Sequence, residues 1–180
     1  AGHVYRYAGD SDWVDCGAPD GSNTVMSMAV YQGNLYAGTG RYKAVGSLLP
    51  DSPNRTEGGR VFRYEGGSHW TDCGRLGGEP SPFAEYVHDS VQSLQVFDGR
   101  LYALPTYTQG LFRYDGGTTW TDCGSPGSRL LSMASFRGEL YLLQNGDGWV
   151  FRYESGEGWG RWTRCGRLPG VEQPYAFAVY

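Results

Sequence analysis

Short runs of alternating large and polar residues follow one another along the whole chain, separated by glycine-rich turns. In VFRY (61–64), Phe62 and Tyr64 fall on one face of an extended strand, and Val61 and Arg63 fall on the other. Both faces therefore carry bulky side chains, as expected for a strand packed between two layers. No segment shows the 3.6-residue period of an amphipathic helix. The pattern predicts an all-β protein made of short antiparallel strands.

Two phrases recur, and each predicts a hairpin. The first phrase reads SMAVYQGNLYAGT (27–39), SLQVFDGRLYALP (93–105) and SMASFRGELYLLQ (132–144). Its two β-prone runs flank a two-residue turn with glycine second, which supplies the positive φ of a tight hairpin. The second phrase reads RYAGDSDW (6–13), RYEGGSHW (63–70), RYDGGTTW (113–120) and, in a longer form, RYESGEGWGRW (152–162). Each copy is followed by a cysteine three residues after its last tryptophan.

Alternation of the two phrases predicts a repeat of four antiparallel strands, A to D. Tandem four-stranded repeats of about 40–50 residues are typical of a β-propeller. The predicted parts are strands C and D at 4–17, full blades at 26–74, 91–124 and 130–166, and a strand A at 175–180. One blade is then shared between the termini and lacks strand B. Because unpaired strand edges attract other strands, we expect a homo-oligomer through this incomplete blade.

Composition narrows the function classes. The 180 residues include 15 Lys and Arg against 19 Asp and Glu, giving a net charge of −4. The basic residues are not clustered, which argues against a nucleic-acid groove. No apolar run reaches the roughly 18 residues of a membrane-spanning helix. Since the chain begins at Ala1 rather than Met, we expect either a removed leader or a piece of a longer protein.

The four cysteines occupy the same slot of successive repeats, and they are Cys16, Cys73, Cys123 and Cys165. Neighbouring copies should lie one repeat apart, beyond the roughly 7 Å between Cα atoms that a disulfide allows. The same separation argues against a four-cysteine zinc site. We expect four reduced, buried thiols with a structural role, since free cysteine is among the most buried residue types.

The stretch RYDGGTTW resembles the Asp-box, S-x-D-x-G-x-T-W, of sialidase-like and sortilin-like propellers. Asp115, Gly117, Thr119 and Trp120 match that motif, while Arg113 replaces its serine. The other three copies diverge further. The resemblance implies a structural role for the box, a secreted or extracellular protein and, if the protein is an enzyme, a glycoside hydrolase. The residues expected to be structural are Asp115, Gly117, Trp13, Trp70, Trp120 and Trp162, together with the cysteines.

The arginine of each box phrase is expected to form an ion pair with a strand-D aspartate of the same or an adjacent repeat. The arginines are Arg6, Arg63, Arg113 and Arg152, and the aspartates are Asp15, Asp72 and Asp122. The last repeat has Arg164 in the aspartate slot, so it lacks this partner.

Long connections predict where function lies. The B–C loop at 40–60 and the D–A loop at 74–90 exceed the usual length of connections in a compact domain. Both should lie on one face, opposite the short turns. This loop-rich face offers candidate ligand-binding residues: Arg41, Tyr42, Phe83, Glu85, Tyr86, His88, Asp89, Tyr107, Gln109, Asn145, Asp147 and Trp149. Aromatic, amide, acidic and arginine side chains in this mixture suit the recognition of a sugar or a peptide.

Catalytic signals are weak, because no nucleophile motif, metal-ligand spacing or cofactor motif is present. We expect a non-enzymatic binding propeller that recognises carbohydrate or protein, without nucleic-acid or membrane partners. Two alternatives remain open. The chain could be a fragment of a larger Asp-box glycoside hydrolase, or a purely structural propeller, natural or engineered, that assembles between chains.

Overall fold

The described part of the chain is all-β. A computed structural model describes residues 1–41, 58–77, 90–105, 110–154, 161–171, 173–176 and 179. These residues form fourteen strands: β1 Tyr5–Gly9, β2 Asp12–Asp15, β3 Thr24–Tyr31, β4 Asn34–Gly40, β5 Arg60–Gly66, β6 His69–Arg75, β7 Val91–Phe97, β8 Arg100–Pro105, β9 Phe112–Gly116, β10 Thr119–Asp122, β11 Leu130–Phe136, β12 Glu139–Gln144, β13 Trp149–Glu154 and β14 Arg161–Arg167.

Strands pair in chain order to give one hairpin and three sheets. The N-terminal hairpin is β1–β2, unit 1 is β3–β6, unit 2 is β7–β10 and unit 3 is β11–β14. All pairs are antiparallel. The predicted all-β class and the four-stranded repeat are confirmed. Residues 173–176 lie outside any strand, and parts of 175–180 fall outside the described residues, so the final strand A stays a prediction.

Turn chemistry fixes the hairpin between the first two strands of each unit. In unit 1, Gln32 and Gly33 have φ values of 49° and 77°. Asp98 and Gly99 in unit 2 have values of 47° and 67°. Two successive positive φ angles give the primed turn that matches the right-handed twist of the flanking strands. The turns predicted from the glycine in second position are confirmed.

Each unit has two packed faces. On unit 1, Tyr64 pairs with Trp70 on the face toward the N-terminal hairpin, which we call the N-side face. Tyr36 pairs with Arg63 on the opposite face, the C-side face, which packs on the next unit. Residues directly opposite in an antiparallel pair point to the same side of the sheet, so the register assigns every strand position to a face.

The two hydrophobic cores lie between units. One core joins the C-side face of unit 1, with Tyr36 and Cys73, to Phe112 on the N-side face of unit 2. The other joins Tyr102 and Cys123 of unit 2 to residues of unit 3 that include Phe151 and Tyr153. The first strands of the units are neighbours, since β3 contacts β7 and β7 contacts β11. Stability therefore depends on unit-to-unit packing, because one sheet alone covers neither of its faces.

Candidate functional site

A tryptophan joins each hairpin of the second phrase to the preceding unit. Trp70 donates its indole N–H to the carbonyl oxygen of Cys16 at 2.8 Å, and Trp120 does the same to Cys73 at 2.8 Å. Each indole also contacts the tyrosine opposite it, with ring centroids 4.9 Å apart for Tyr114 and Trp120. Repetition of this contact gives the box phrase a packing role between units.

The thiols lie under the same aromatic pairs. All four cysteines are free, and Cys16, Cys73 and Cys123 are buried. Burial raises the pKa of the Cys73 thiol, although a hydrogen bond with Tyr114 of unit 2 acts in the opposite direction. The expectation that all four thiols are buried is wrong for Cys165, which is exposed. Since β14 is the last described strand, no following unit covers this thiol.

The arginine of the box phrase pairs with the carboxylate two residues later. Arg113 Nε lies 2.9 Å from Asp115, and Arg63 Nε lies 2.8 Å from Glu65. The predicted pairing of these arginines with strand-D aspartates is wrong. The register explains this, because Asp72 lies opposite Phe62, on the other side of the sheet from Arg63. Each strand-D aspartate instead accepts the backbone N–H two residues on, as in Gly17, Gly74 and Gly124.

Hydrogen bonds keep the box carboxylates ionised. The hydrogen bond from Arg63, followed by one from Thr71, lowers the pKa of Glu65. Bonds from Thr163 and then Arg152 lower the pKa of Glu154. A carboxylic acid must be protonated to act as a proton donor, so these groups are unsuited to general acid catalysis near neutral pH.

The strand ends that lead into connections B–C and D–A lie at one edge of the units, opposite the tight turns, as antiparallel order requires. We call it the loop-rich edge. Of the predicted ligand residues, Arg41 lies half-buried at the end of β4 of unit 1, and three lie at unit 3. The others fall outside the described residues: Tyr42, Phe83, Glu85, Tyr86, His88, Asp89, Tyr107 and Gln109.

Asn145 is engaged internally. Its side chain is buried, accepts a hydrogen bond from Arg129 at 2.9 Å and donates one to the Pro174 carbonyl at 3.3 Å. Its backbone N–H is also bonded to the Arg129 carbonyl. These bonds give Asn145 a structural role, because they join the end of β12 to Arg129 and Pro174.

The other two predicted residues of unit 3 flank an arginine-rich surface. Asp147 is exposed, and its carbonyl accepts a hydrogen bond from Arg167. Trp149 is half-buried, with the Arg164 guanidinium 4.5 Å from its ring centroid. An open depression of about 350 Å³ adjoins them, lined by residues 167–171. The amide of Leu168 anchors this segment to the Gly148 carbonyl at 2.9 Å.

Arg167 was missed in the sequence, yet a repeated signal was present. C-G-R-L occurs at 73–76 and again at 165–168. In unit 1 the equivalent Arg75 donates to the Gly58 carbonyl at 2.6 Å, just as Arg167 donates to Asp147. The arginine of this tetrapeptide therefore stabilises the B–C connection of its own unit.

Neither a protein-family model nor a curated protein matches this sequence. Across the residues that the structure describes, no group of three or more His, Cys, Asp and Glu side chains is placed to hold a metal ion. Within the same ranges, no helix has the length and apolar character needed to cross a membrane.

Proposed function

We propose that the chain forms a β-propeller and acts as a non-enzymatic binding module. Three observations support the propeller: the four-stranded antiparallel units, their face-to-face packing and the contacts between their first strands. These are the features expected of blades arranged side by side around their first strands. The Asp-box resemblance is consistent with the same arrangement, since the box phrase lies on the turn between the third and fourth strands.

The loop-rich edge of unit 3 is the proposed binding site. The observation that carries this proposal is the open depression of about 350 Å³ lined by residues 167–171. It would accept one or two sugar rings, or the side chain of a peptide. Arg167 offers several N–H donors to hydroxyl or carbonyl oxygens, and the nearby Asp147 carboxylate offers acceptors.

A binding role fits the described carboxylates better than a hydrolytic one. Glycoside hydrolysis requires one carboxylic acid with a raised pKa to protonate the leaving group. The pKa values of Asp15, Glu65, Asp115 and Glu154 are all lowered. None of these four carboxylates is among the residues 167–171 that line the depression.

Carbohydrate is the leading ligand class, and a glycan array followed by calorimetric titration tests it. The Arg167→Ala and Asp147→Asn variants should each weaken binding of a captured glycan at least tenfold. Arg137→Ala is the matched control, because this exposed arginine lies in a tight turn at the opposite edge. Binding that survives both loop-edge substitutions in correctly folded variants would contradict the site. If the ligand is a protein, a peptide should bind instead of a glycan, and Arg167→Ala and Asp147→Asn should weaken that binding.

Self-assembly as a structural propeller is a second candidate, favoured by a different observation. Both ends of the series of units leave large apolar side chains exposed.

A further inference from the structure

The N-side face of the N-terminal hairpin is uncovered. Tyr5, Tyr7 and Trp13 lie on it and are 54%, 56% and 62% exposed. The positions equivalent to Tyr5 are Phe62 and Phe112, which are 6% and 3% exposed because a preceding unit covers them. Tyr7 and Trp13 still form the ring pair of the other hairpins, with centroids 5.2 Å apart. An aromatic surface of the kind used between units is thus assembled, but none of the described units lies against it.

The C-side face of unit 3 is uncovered in the complementary way. Phe136 is 42% exposed, whereas its equivalent Phe97 in unit 2 is 9% exposed. Cys165 is exposed, whereas Cys123 in the same slot is 1% exposed. Glycine geometry marks the same gap. Gly17 and Gly74 adjoin the hairpin turn of the next unit. A Cβ added at Gly17 would lie 3.0 Å from Ser68, and one added at Gly74 would overlap Thr118. At the equivalent Gly166, nothing lies within 4 Å of an added Cβ.

These two faces match because the chain already joins such faces internally. In every case the tyrosine–tryptophan pair of one unit lies over the cysteine strand of the unit before it. The indole of Trp70 contacts Cys16 in this way, and that of Trp120 contacts Cys73. Trp13 and Cys165 are the two remaining members of the same pairing.

Charge favours the same pairing. The turn and strand around Trp13 carry three exposed aspartates, Asp10, Asp12 and Asp15. Strand β14 around Cys165 carries three exposed arginines, Arg161, Arg164 and Arg167. Arg164 and Arg167 lie opposite Phe151 and Trp149 and therefore point to the N-side face of this edge strand. When faces meet as they do inside the chain, the hairpin turn lies against the end of β14. The acidic hairpin and this basic edge strand would then be near each other, which favours the encounter of the two copies.

We propose that the C-side face of unit 3 binds the N-side face of the N-terminal hairpin of a second copy of this chain. Trp13 would then donate its indole N–H to the Cys165 carbonyl of the other copy. The two faces are different, so the contact is heterologous. It closes into a ring if the rotation between copies allows, and otherwise continues as a filament.

A second exposed surface adjoins this contact. Met28 and Val30 on the N-side face of unit 1 are 54% and 66% exposed, whereas the Leu94 equivalent to Met28 is 7% exposed. The N-terminal hairpin has only two strands, so it leaves the inner half of unit 1 uncovered. In the second copy, unit 3 is followed by the segment with Tyr175 and Val179, which are 61% and 52% exposed. Met28 and Val30 therefore offer further apolar area beside this contact.

Analytical ultracentrifugation across protein concentration, combined with labelling of Cys165 by a thiol reagent, tests the proposal. We expect a shift from monomer to dimer or larger species as concentration rises. Over the same range, labelling of Cys165 should slow at least tenfold. Trp13→Ala should shift both effects to at least tenfold higher protein concentration, whereas Asp98→Asn, in an exposed turn of unit 2, should leave both unchanged. Tyr7→Ala provides a second test of the hairpin face should the tryptophan variant fold poorly.

Mixing two variants tests whether the contact between copies joins two different faces or one face that binds itself. Trp13→Ala retains the unit 3 face, and Cys165→Arg retains the hairpin face. Each variant should be monomeric alone, and the mixture should form a one-to-one dimer that cannot grow further. Self-association of either variant alone, or the absence of a mixed dimer, would overturn the proposal. A wild-type monomer with protected Cys165 at all concentrations would also overturn it, because the faces would then meet within one chain. Glycan binding is measured separately, so either proposal can fail alone.

Discussion

Trp120 and Trp13 occupy the same repeat position but differ in their surroundings. Trp120 is half-buried against unit 1 and donates a hydrogen bond to Cys73 at 2.8 Å, whereas Trp13 is 62% exposed. Both retain the contact with a tyrosine of their own hairpin. Comparing Trp120→Ala with Trp13→Ala therefore measures what packing between units contributes to stability.

Three losses determine the cost of Trp120→Ala. The hydrogen bond to the Cys73 carbonyl contributes about 0.5–1.5 kcal/mol. The ring contact with Tyr114, at 4.9 Å between centroids, contributes about 0.5–1.5 kcal/mol. Burial of part of the indole adds about 1 kcal/mol. We expect a total of about 3 kcal/mol, at the lower end of the range of about 3–5 kcal/mol for a fully buried aromatic. Trp13→Ala loses mainly its ring contact with Tyr7, about 0.5–1 kcal/mol.

Urea unfolding followed by far-ultraviolet circular dichroism measures both values, at a protein concentration where the chain is monomeric. The free energy of unfolding should fall about 2 kcal/mol further for Trp120→Ala than for Trp13→Ala, with similar denaturant slopes. By melting temperature, a chain of this size should lose roughly 2–4 °C for each kcal/mol. Equal losses for the two variants would refute the reasoning, because the shared hairpin contact would then account for the whole effect.

Three further outcomes are expected. Gly38→Ala would place its Cβ 2.6 Å from a buried valine of unit 2, so chemical denaturation should show a loss of about 1–3 kcal/mol. For Asp115, partial burial opposes ionisation, but hydrogen bonds from Thr121 and Arg113 lower its pKa overall. Its stabilisation is therefore present above the unfolded pKa near about 4 and lost as pH falls through the folded pKa, so the difference in melting temperature between wild type and Asp115→Asn should shrink from about pH 6 to pH 3. Asn145→Ala should cost about 1–3 kcal/mol in thermal unfolding without ligand, because it leaves buried polar groups unpaired.

Local chemistry made much of the fold predictable. A glycine after Gln32 or Asp98 supplies the positive φ that a tight hairpin needs, and this requirement is readable from a few residues. Alternation in VFRY assigned Phe62 and Tyr64 to one face, as the register shows. Because both phrases recur along the chain, the strands predicted for one repeat were predicted for all three units.

Predictions that depend on which unit lies beside a residue were less successful. The partner of Arg63 was predicted wrongly because the side of the sheet to which each residue points was not considered. Alternation along the strands places Arg63 and Asp72 on opposite sides of the sheet. Cys165 shares its sequence context with three buried cysteines, and only the lack of a covering unit among the described residues makes it exposed. The depression at Arg167 arises from the path of the backbone after β14, which residue types alone do not specify.

The same kind of tryptophan contact stabilises the packing between units and the proposed packing between copies. Its contribution to stability therefore predicts its contribution to the affinity between copies. If the Trp120 and Trp13 variants differ by about 2 kcal/mol, one tryptophan contact between copies contributes a similar amount. Association must offset about 4–15 kcal/mol of lost translational and rotational freedom, so a single contact cannot hold two copies together. The Tyr5, Phe136 and Met28 surfaces must bury apolar area at the same time. Assembly should therefore respond to loss of Trp13 by at least tenfold, since about 1.4 kcal/mol corresponds to a factor of ten in affinity.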